Sequence, residues 1–510
     1  MGNLLSTDTS TLYLDANSGF DASRPITVFM VATTRLGNAV TFRELGASAI
    51  LSNFSVPQKL VADAPFGLSA PVSNSDGAFT YTSSNLAVAT VSGTTVTIVG
   101  AGSTTITATQ AATASYGSNS ISAQLVVVNI WRQLGQDIDG EAAVDYSGYS
   151  VDLSSSGNRV AIGAIYNAGT GHVRVYDLSG NSWIQVGQDI DGEASGDNSG
   201  WSVSLSSDGS RVAIGASGNA GTASYAGHVR VYELSGNTWT KVGQDIDGEA
   251  AGDESGRSVS LSSDGSRVAI GAIYNDGTAS NAGHVRVYDL SGNSWTQVGQ
   301  DIDGEAARDE SGWSVSLSSD GSRVAIGAIY NTASNTGHVR VYELSGNTWT
   351  KVGQDIDGEA ANDESGYSVS LSSDGSRVAI GAYGNAGTAS YAGHVRVYEL
   401  SGNTWTKVGQ DIDGEAAGDE SGRSVSLSSD GSRVAIGARN NHGSAPGSGH
   451  VRVYDLIGNT WTQVGLDIDG EAMYDVSGHS VSMSSDGSRV AIGAIYNGPD
   501  TGHVRVYEFN

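Results

Sequence analysis

Seven tryptophans, Trp131, Trp183, Trp239, Trp295, Trp349, Trp405 and Trp461, recur at intervals of 52, 56, 56, 54, 56 and 56 residues. Each opens a unit close to W-x-Q-V-G-Q-D-I-D-G-E-A, followed by S-G-x-S-V-S-L-S, R-V-A-I-G-A and G-H-V-R-V-Y. Copies of one small piece cannot each bury an apolar face alone, so the units must stack on one another. Within a unit, VSLS, RVAIGA, HVRVYEL and WTQVGQDI are short and rich in β-branched residues, and SDGS, SGNTW and Gly/Asn/Ala/Ser segments separate them. Those are strand and turn signals. Four strands in about 55 residues, with no 3.6-residue periodicity, predict one propeller blade per unit.

The order of strands dictates how such a ring would shut. The first unit begins with the Trp131 strand, whereas the chain stops at Phe509 and Asn510, just after its last G-H-V-R-V-Y. The Trp131 strand is therefore expected to complete the blade built from residues 478 to 509, leaving no open sheet edge. Seven G-H-V-R-V-Y segments, at His172, His228, His284, His338, His394, His450 and His503, predict seven blades. The expected fold class is all-β: a seven-bladed β-propeller over 130–510, closed by its N-terminal strand, behind an Ig-like β-sandwich over 55–129. A β-rich segment over 1–54 is a candidate anchor, with strands expected at 12–14, 26–33 and 40–43.

Composition narrows the chemistry. Cysteine is absent, which excludes disulfides, thiolate metal sites and cysteine nucleophiles. The net charge is −28, and residues 1–129 carry 4 basic and 6 acidic side chains, so −26 falls on the repeats. Such a surface repels phosphates, and nucleic acid is excluded as a partner. No run of 18 apolar residues can span a bilayer. The first residues lack the basic and apolar pattern of a signal peptide. The expected location is an extracellular surface or a virion.

Two resemblances follow from these motifs. The G-x-S-V, V-A-I-G-A and G-H-V-R-V-Y strands, recurring in register from Trp131 to Asn510, resemble the FG-GAP-like repeats of integrin-α-type propellers. That family's calcium loop is of D-x-D-x-D-G type. The corresponding stretch here is S-S-D-G-S-R, as at Asp208, Asp264 and Asp374, too poor in carboxylates to cage a cation. The stretch from Tyr81 to Thr113 is similar to the bacterial Ig-like domains of adhesins, which implies a small sandwich with Val88, Val91, Val96, Ile98 and Ile106 in its core.

Two sets of residues are candidates for binding. The position after S-G varies around the ring as Tyr149, Trp201, Arg257, Trp313, Tyr367, Arg423 and His479. At the mouth of a central funnel these side chains could stack on sugar rings or grip a peptide. The same slot could instead be inter-blade packing, with Arg257 between Trp201 and Trp313. The acidic Q-D-I-D-G-E-A-A-x-D loops, represented by Asp245, Asp247, Glu249 and Asp253 and by Asp301, Asp303, Glu305 and Asp309, offer the clustered oxygens that calcium needs. Their bland alternative is a solvated turn whose carboxylates pair with the repeated arginines. The seven histidines, one per unit, stand too far apart to share an ion and are read as structural.

No G-x-S-x-G or H-E-x-x-H motif occurs, and Ser, Asp and His follow the repeat rather than a single constellation. The expectation is a non-enzymatic adhesion or ligand-binding surface protein that recognises a glycan or protein, with calcium as its cofactor. The alternatives are an architectural part of a particle, contacting neighbouring subunits, and a carbohydrate-active enzyme.

Overall fold

A computed structural model of the chain describes residues 47–331 and 335–509. The strands expected at 12–14, 26–33 and 40–43 lie outside the described residues. The chain divides into two compact units, the second running from Trp131 to Asn510.

In the first unit, a four-stranded sheet orders Lys59–Leu60, Asn119–Val128, Gly102–Gln110 and Phe79–Ser83, and a three-stranded one orders Phe66–Gly67, Thr95–Ile98 and Ala89–Ser92. They share a core of Val88, Val96, Ile106, Leu125 and Val127, with Val91 and Ile98 packed against it. Residues ahead of 55 already take part, since Ser48 bridges Gly117 and Leu51–Ser52 pairs with Val72–Ser73.

The second unit holds seven antiparallel sheets of one design among the described residues. The third is representative. Ser258–Leu261, Arg267–Ala272, His284–Ser291 and Ser294–Gln297 lie in that order, and Ile302–Asp303 also pairs with the His284 strand. The expected single strand W-T-Q-V-G-Q-D-I is thus two strands. Gly299, at φ +75°, breaks it, and a β-carbon there would stand 2.7 Å from Cδ1 of the next unit's Trp349. The repeated V-G-Q is the seat of a tryptophan, and only glycine fits it.

The apolar cores lie between sheets, not within them. One cluster joins Ala213, Val229, Val231 and Ile246 of the second sheet to Val259, Leu261, Val268, Ile270, Tyr288 and Trp295 of the third. Middle strands are covered on both sides, which is why R-V-A-I-G-A is buried from its valine onward and shows no alternation. Adjacent sheets approach closely enough that a β-carbon on Gly271 would stand 2.1 Å from the carbonyl oxygen of Gly312.

Closure follows the expected route. Trp131–Gln133 pairs antiparallel with His503–Phe509, Trp131 opposite Phe509 and Gln133 opposite Tyr507. At the S-S-D-G turns, the Ser155 N–H donates to Ser207 O, and the pattern continues through Ser263, Ser319, Ser373, Ser429 and Ser485 before returning to Ser155, at 2.8–2.9 Å. That circuit can exist only in a closed ring. Each tryptophan also locks a seam: Trp295 Nε1 donates to Val242 O at 2.9 Å, and Trp131 Nε1 donates to Val464 O at 2.8 Å.

Because Trp131 is buried in the seam between the sixth and seventh sheets, Trp131→Ala is expected to cost about 3–5 kcal/mol. Urea denaturation measures this; a loss below about 1 kcal/mol would show that the ring does not depend on this strand.

Candidate functional site

Three places in the propeller gather side chains with chemistry: the funnel mouth, the central channel and the seams between sheets. At the mouth, the seven variable residues form a nearly continuous stack. Tyr149 packs on Trp201 and His479, with ring centroids 4.8 and 4.9 Å apart. The Arg257 guanidinium lies 4.4 Å from the Trp201 ring and 4.3 Å from that of Trp313. Trp313 meets Tyr367 at 5.3 Å, and Arg423 sits 4.1 Å over Tyr367 and 5.2 Å over Tyr383. Burial, with Arg423 and Arg439 nearby, holds the His479 imidazole neutral. Ring faces that were expected to receive a sugar or peptide are occupied by their neighbours, each such pair contributing about 0.5–2 kcal/mol to the seams.

Along the channel, each inner strand is tied to the next by a serine. The N–H groups of Leu261, Leu317, Leu371, Leu427 and Met483 donate to Ser204, Ser260, Ser316, Ser370 and Ser426 Oγ at 2.9–3.0 Å. Asp152 occupies the serine position of the first sheet. Its Oδ2 accepts from the Leu205 N–H at 2.7 Å, and its Oδ1 accepts from Ser482 Oγ at 2.8 Å and the Leu153 N–H at 3.0 Å. Burial raises its pKa to about 6 against those three hydrogen bonds.

The seams bring together residues that the sequence kept apart. A depression of about 670 Å³ is lined by Glu249, Asp253, Asp276, Asp301 and Asp303, among others. Glu249 belongs to the loop ending one sheet, and Asp301 and Asp303 to the loop ending the next. The carboxylates of each of the two acidic loops expected to offer calcium are therefore divided between neighbouring clusters. Asp245 faces Glu193 and His228; Glu249 and Asp301 face His284. Asp247 also faces His228, whereas Glu305 is paired with Arg340. Asp253 and Asp309 serve their own turns: Asp253 Oδ2 accepts from the Ala250 N–H and Asn275 Nδ2, and Asp309 Oδ2 accepts from the N–H groups of Glu305 and Ala306.

The histidines, read from sequence as structural, are the residues that sequence reasoning missed. They do not share an ion with one another, but each stands beside carboxylates. Glu141 with His172 and Asp189, Glu193 with His228 and Asp245, Glu249 with His284 and Asp301, and Glu359 with His394 and Asp411 each place three potential ligand atoms within 4.8 Å of one another. At the closing seam, Asp137 and Asp139 stand with His503. Every one of these histidines is at most 2 % exposed. Burial lowers their pKa, assisted by the following arginine, to about 4 for His284 and His450. They are neutral at physiological pH, the form that binds metals. The usable signal was the constant offset from histidine to aspartate in each unit, His172 to Asp189 and His284 to Asp301 alike.

The model of the bacterial Ig-like domain, group 2, matches residues 68–116, within the sandwich. No curated protein matches the chain. Among solved structures, a candidate 6-phosphogluconolactonase from Bacteroides uniformis ATCC 8492 has a TM-score of 0.47 and 12% identity, covering 72% of this chain and 92% of its own. Another, from Bacteroides fragilis NCTC 9343, has a TM-score of 0.46 and 12% identity, covering 64% and 85%. U3-55K has a TM-score of 0.44 and 12% identity, covering 73% and 98%. The likeness concerns the propeller fold and does not single out FG-GAP repeats. With its ring faces stacked on one another, the rim does not present them to a ligand, and the expected non-enzymatic adhesion or ligand-binding function is corrected.

Asp152 generates a pH prediction. Its carboxyl titrates at about 6 when folded against 3.8 for a free one, so the native state holds this proton more tightly and stability falls as pH rises through that window. Asp152→Ser, which restores the residue of the other sheets, should gain up to about 3 kcal/mol on the parent between pH 3.5 and pH 7. Urea titrations at both pH values decide it; a constant gap would refute the shift.

Proposed function

We propose that this protein is a divalent-cation-binding repeat protein of an extracellular setting, whose ions sit at the propeller seams and hold adjacent sheets together. The observation that carries the reading is the repeated convergence of carboxylates on a buried neutral imidazole, from the end of one sheet and from the next at His172, His228, His284 and His394, and from within the seventh sheet at His503. Around the depression lined by Glu249, Asp253, Asp301 and Asp303, Arg286 Nη1 lies 3.3 Å from Glu249 Oε1, and the charges of Asp301 and Asp303 oppose one another. A dication placed there relieves repulsion between loops that a folded ring forces together. The net charge of −28 adds a long-range field that concentrates cations. The Ig-like match supports the extracellular placement, where calcium is abundant. No helix among the described residues is long and apolar enough to cross a membrane.

The S-S-D-G turns are not part of this reading. Asp264 Oδ1 accepts from Ser262 Oγ, the Ser266 N–H and Ser266 Oγ, so its carboxylate is already engaged by its own turn.

Thermal melting of the whole chain after chelator treatment, then with millimolar calcium, magnesium or micromolar zinc, tests the proposal. Ions present at 100 times their dissociation constant should add about 2.7 kcal/mol per site, so the midpoint is expected to fall with chelator and recover with at least one ion. A midpoint indifferent to chelator and to every ion would overturn it.

A further inference from the structure

Resting on that reading, we propose that the seam sites are built for a zinc-class ion rather than calcium, and that they come in two grades set by one residue of each outer strand. The ligand set is the first ground. Calcium takes six to eight oxygens, whereas one imidazole nitrogen with two carboxylate oxygens is the donor set of zinc and its first-row neighbours. At the third sheet, His284 Nδ1 points at Glu249 Oε2 across 4.0 Å. That gap is too long for a hydrogen bond, and a side-chain shift of well under an ångström would bring the pair to the separation of about 3.3 Å that two ligands of a tetrahedral ion take.

The surrounding groups orient the donors. Arg286 Nη1 holds the other oxygen of Glu249 at 3.3 Å, while its Nη2 donates to the Asp247 carbonyl at 2.8 Å, so Oε2 is left turned toward the histidine. The same arrangement recurs with Arg174 on Glu141 and Arg452 on Glu415. These arginines are positioning residues. The histidine itself is fixed by the ladder that sets His284 opposite Asp303.

The two grades arise four residues before each seam aspartate. In one set, a neutral glutamine donates to it: Gln133 to Asp137, Gln185 to Asp189, Gln297 to Asp301 and Gln463 to Asp467, at 2.5–2.6 Å. In the other, a lysine does so: Lys241 to Asp245, Lys351 to Asp355 and Lys407 to Asp411, at 2.7 Å. A glutamine orients the carboxylate and leaves its charge available. An ammonium neutralises it and repels an incoming dication. Three of the four histidines at glutamine seams share a further feature, and His284 does not. His172, His450 and His503, whose buried Nδ1 makes no hydrogen bond within the protein, all stand at glutamine seams. The four glutamine seams therefore bind tightly, and the three lysine seams bind about tenfold or more weakly.

The test uses the whole chain, stripped with chelator and loaded with zinc or cobalt(II). Equilibrium dialysis is expected to give four tight equivalents of zinc per chain, and cobalt to give visible absorption bands of nitrogen and oxygen ligation. Lys241→Gln, an exposed change that leaves the fold intact, should add a fifth tight equivalent, and Gln297→Lys should remove one. His284→Gln should lose one equivalent and its share of the cobalt bands. If calcium binds and raises the melting midpoint while zinc and cobalt do not bind, this inference fails and the cation reading stands. If no divalent ion binds, both fail, and the histidines face their carboxylates only through solvent. Tight zinc binding whose stoichiometry ignores both Lys241→Gln and Gln297→Lys would overturn the two grades.

Discussion

The structure depends on apolar cores that no single sheet can close. Val229, Val231 and Ile246 of one blade are covered only when Val259, Leu261 and Tyr288 of the next arrive, so a lone blade would leave both broad faces wet. Stacking covers every face but the first and last. Closing the ring covers those too, through the seam that joins Ile138, Val504 and Val506 to Val151, Leu153 and Trp183. The serine circuit at the S-S-D-G turns and the tryptophan hydrogen bonds refine this arrangement; the burial drives it.

A ring of equivalent seams multiplies whatever chemistry one seam contains. The loop that ends one blade and the strand that opens the outer half of the next always meet, so Glu249 meets His284 for the same reason that Glu193 meets His228. Individuality then resides in positions that the seam does not need for packing. The channel carries serine at every inner strand except at Asp152. The seam aspartate is held by glutamine in some blades and by lysine in others. The funnel slot exchanges Trp, Arg and Tyr as long as each can stack on the next.

Much of this was legible before any coordinates. The period, the strand order and the Trp131 closure follow from repeats and from where the last G-H-V-R-V-Y falls. Packing of Arg257 between Trp201 and Trp313 was visible as the plainer of two readings, because strand alternation puts that slot on the side of the buried Val259. What was hidden required distances between neighbouring blades. Sequence spacing separates Glu249 from His284 by more than half a repeat, and nothing local announces that they meet. The histidines were judged against one another, at intervals that rule out a shared ion. Their real neighbours were carboxylates already assigned to a different, calcium-like set. The break of the fourth strand at Gly299 was likewise masked, since V-G-Q reads as strand until the tryptophan that sits on the glycine is known.

The acidity of the repeats also takes on a physical meaning from this geometry. A repeat unit in isolation could spread its carboxylates into solvent at little cost. Stacking of the second sheet on the third brings Glu249, Asp301 and Asp303 to one depression, with the neutral imidazole of His284 beside Glu249 and Asp301. Repulsion there opposes the same burial that shuts the ring. Blades with Lys241, Lys351 or Lys407 carry an internal counter-charge on the seam aspartate. Blades with glutamine carry none, and their seams are the ones in which a bound dication changes the balance most. On the proposed cation reading, an ion at a seam would bridge two sheets, and closure would be coupled to the surrounding ions because an open ring has one seam fewer.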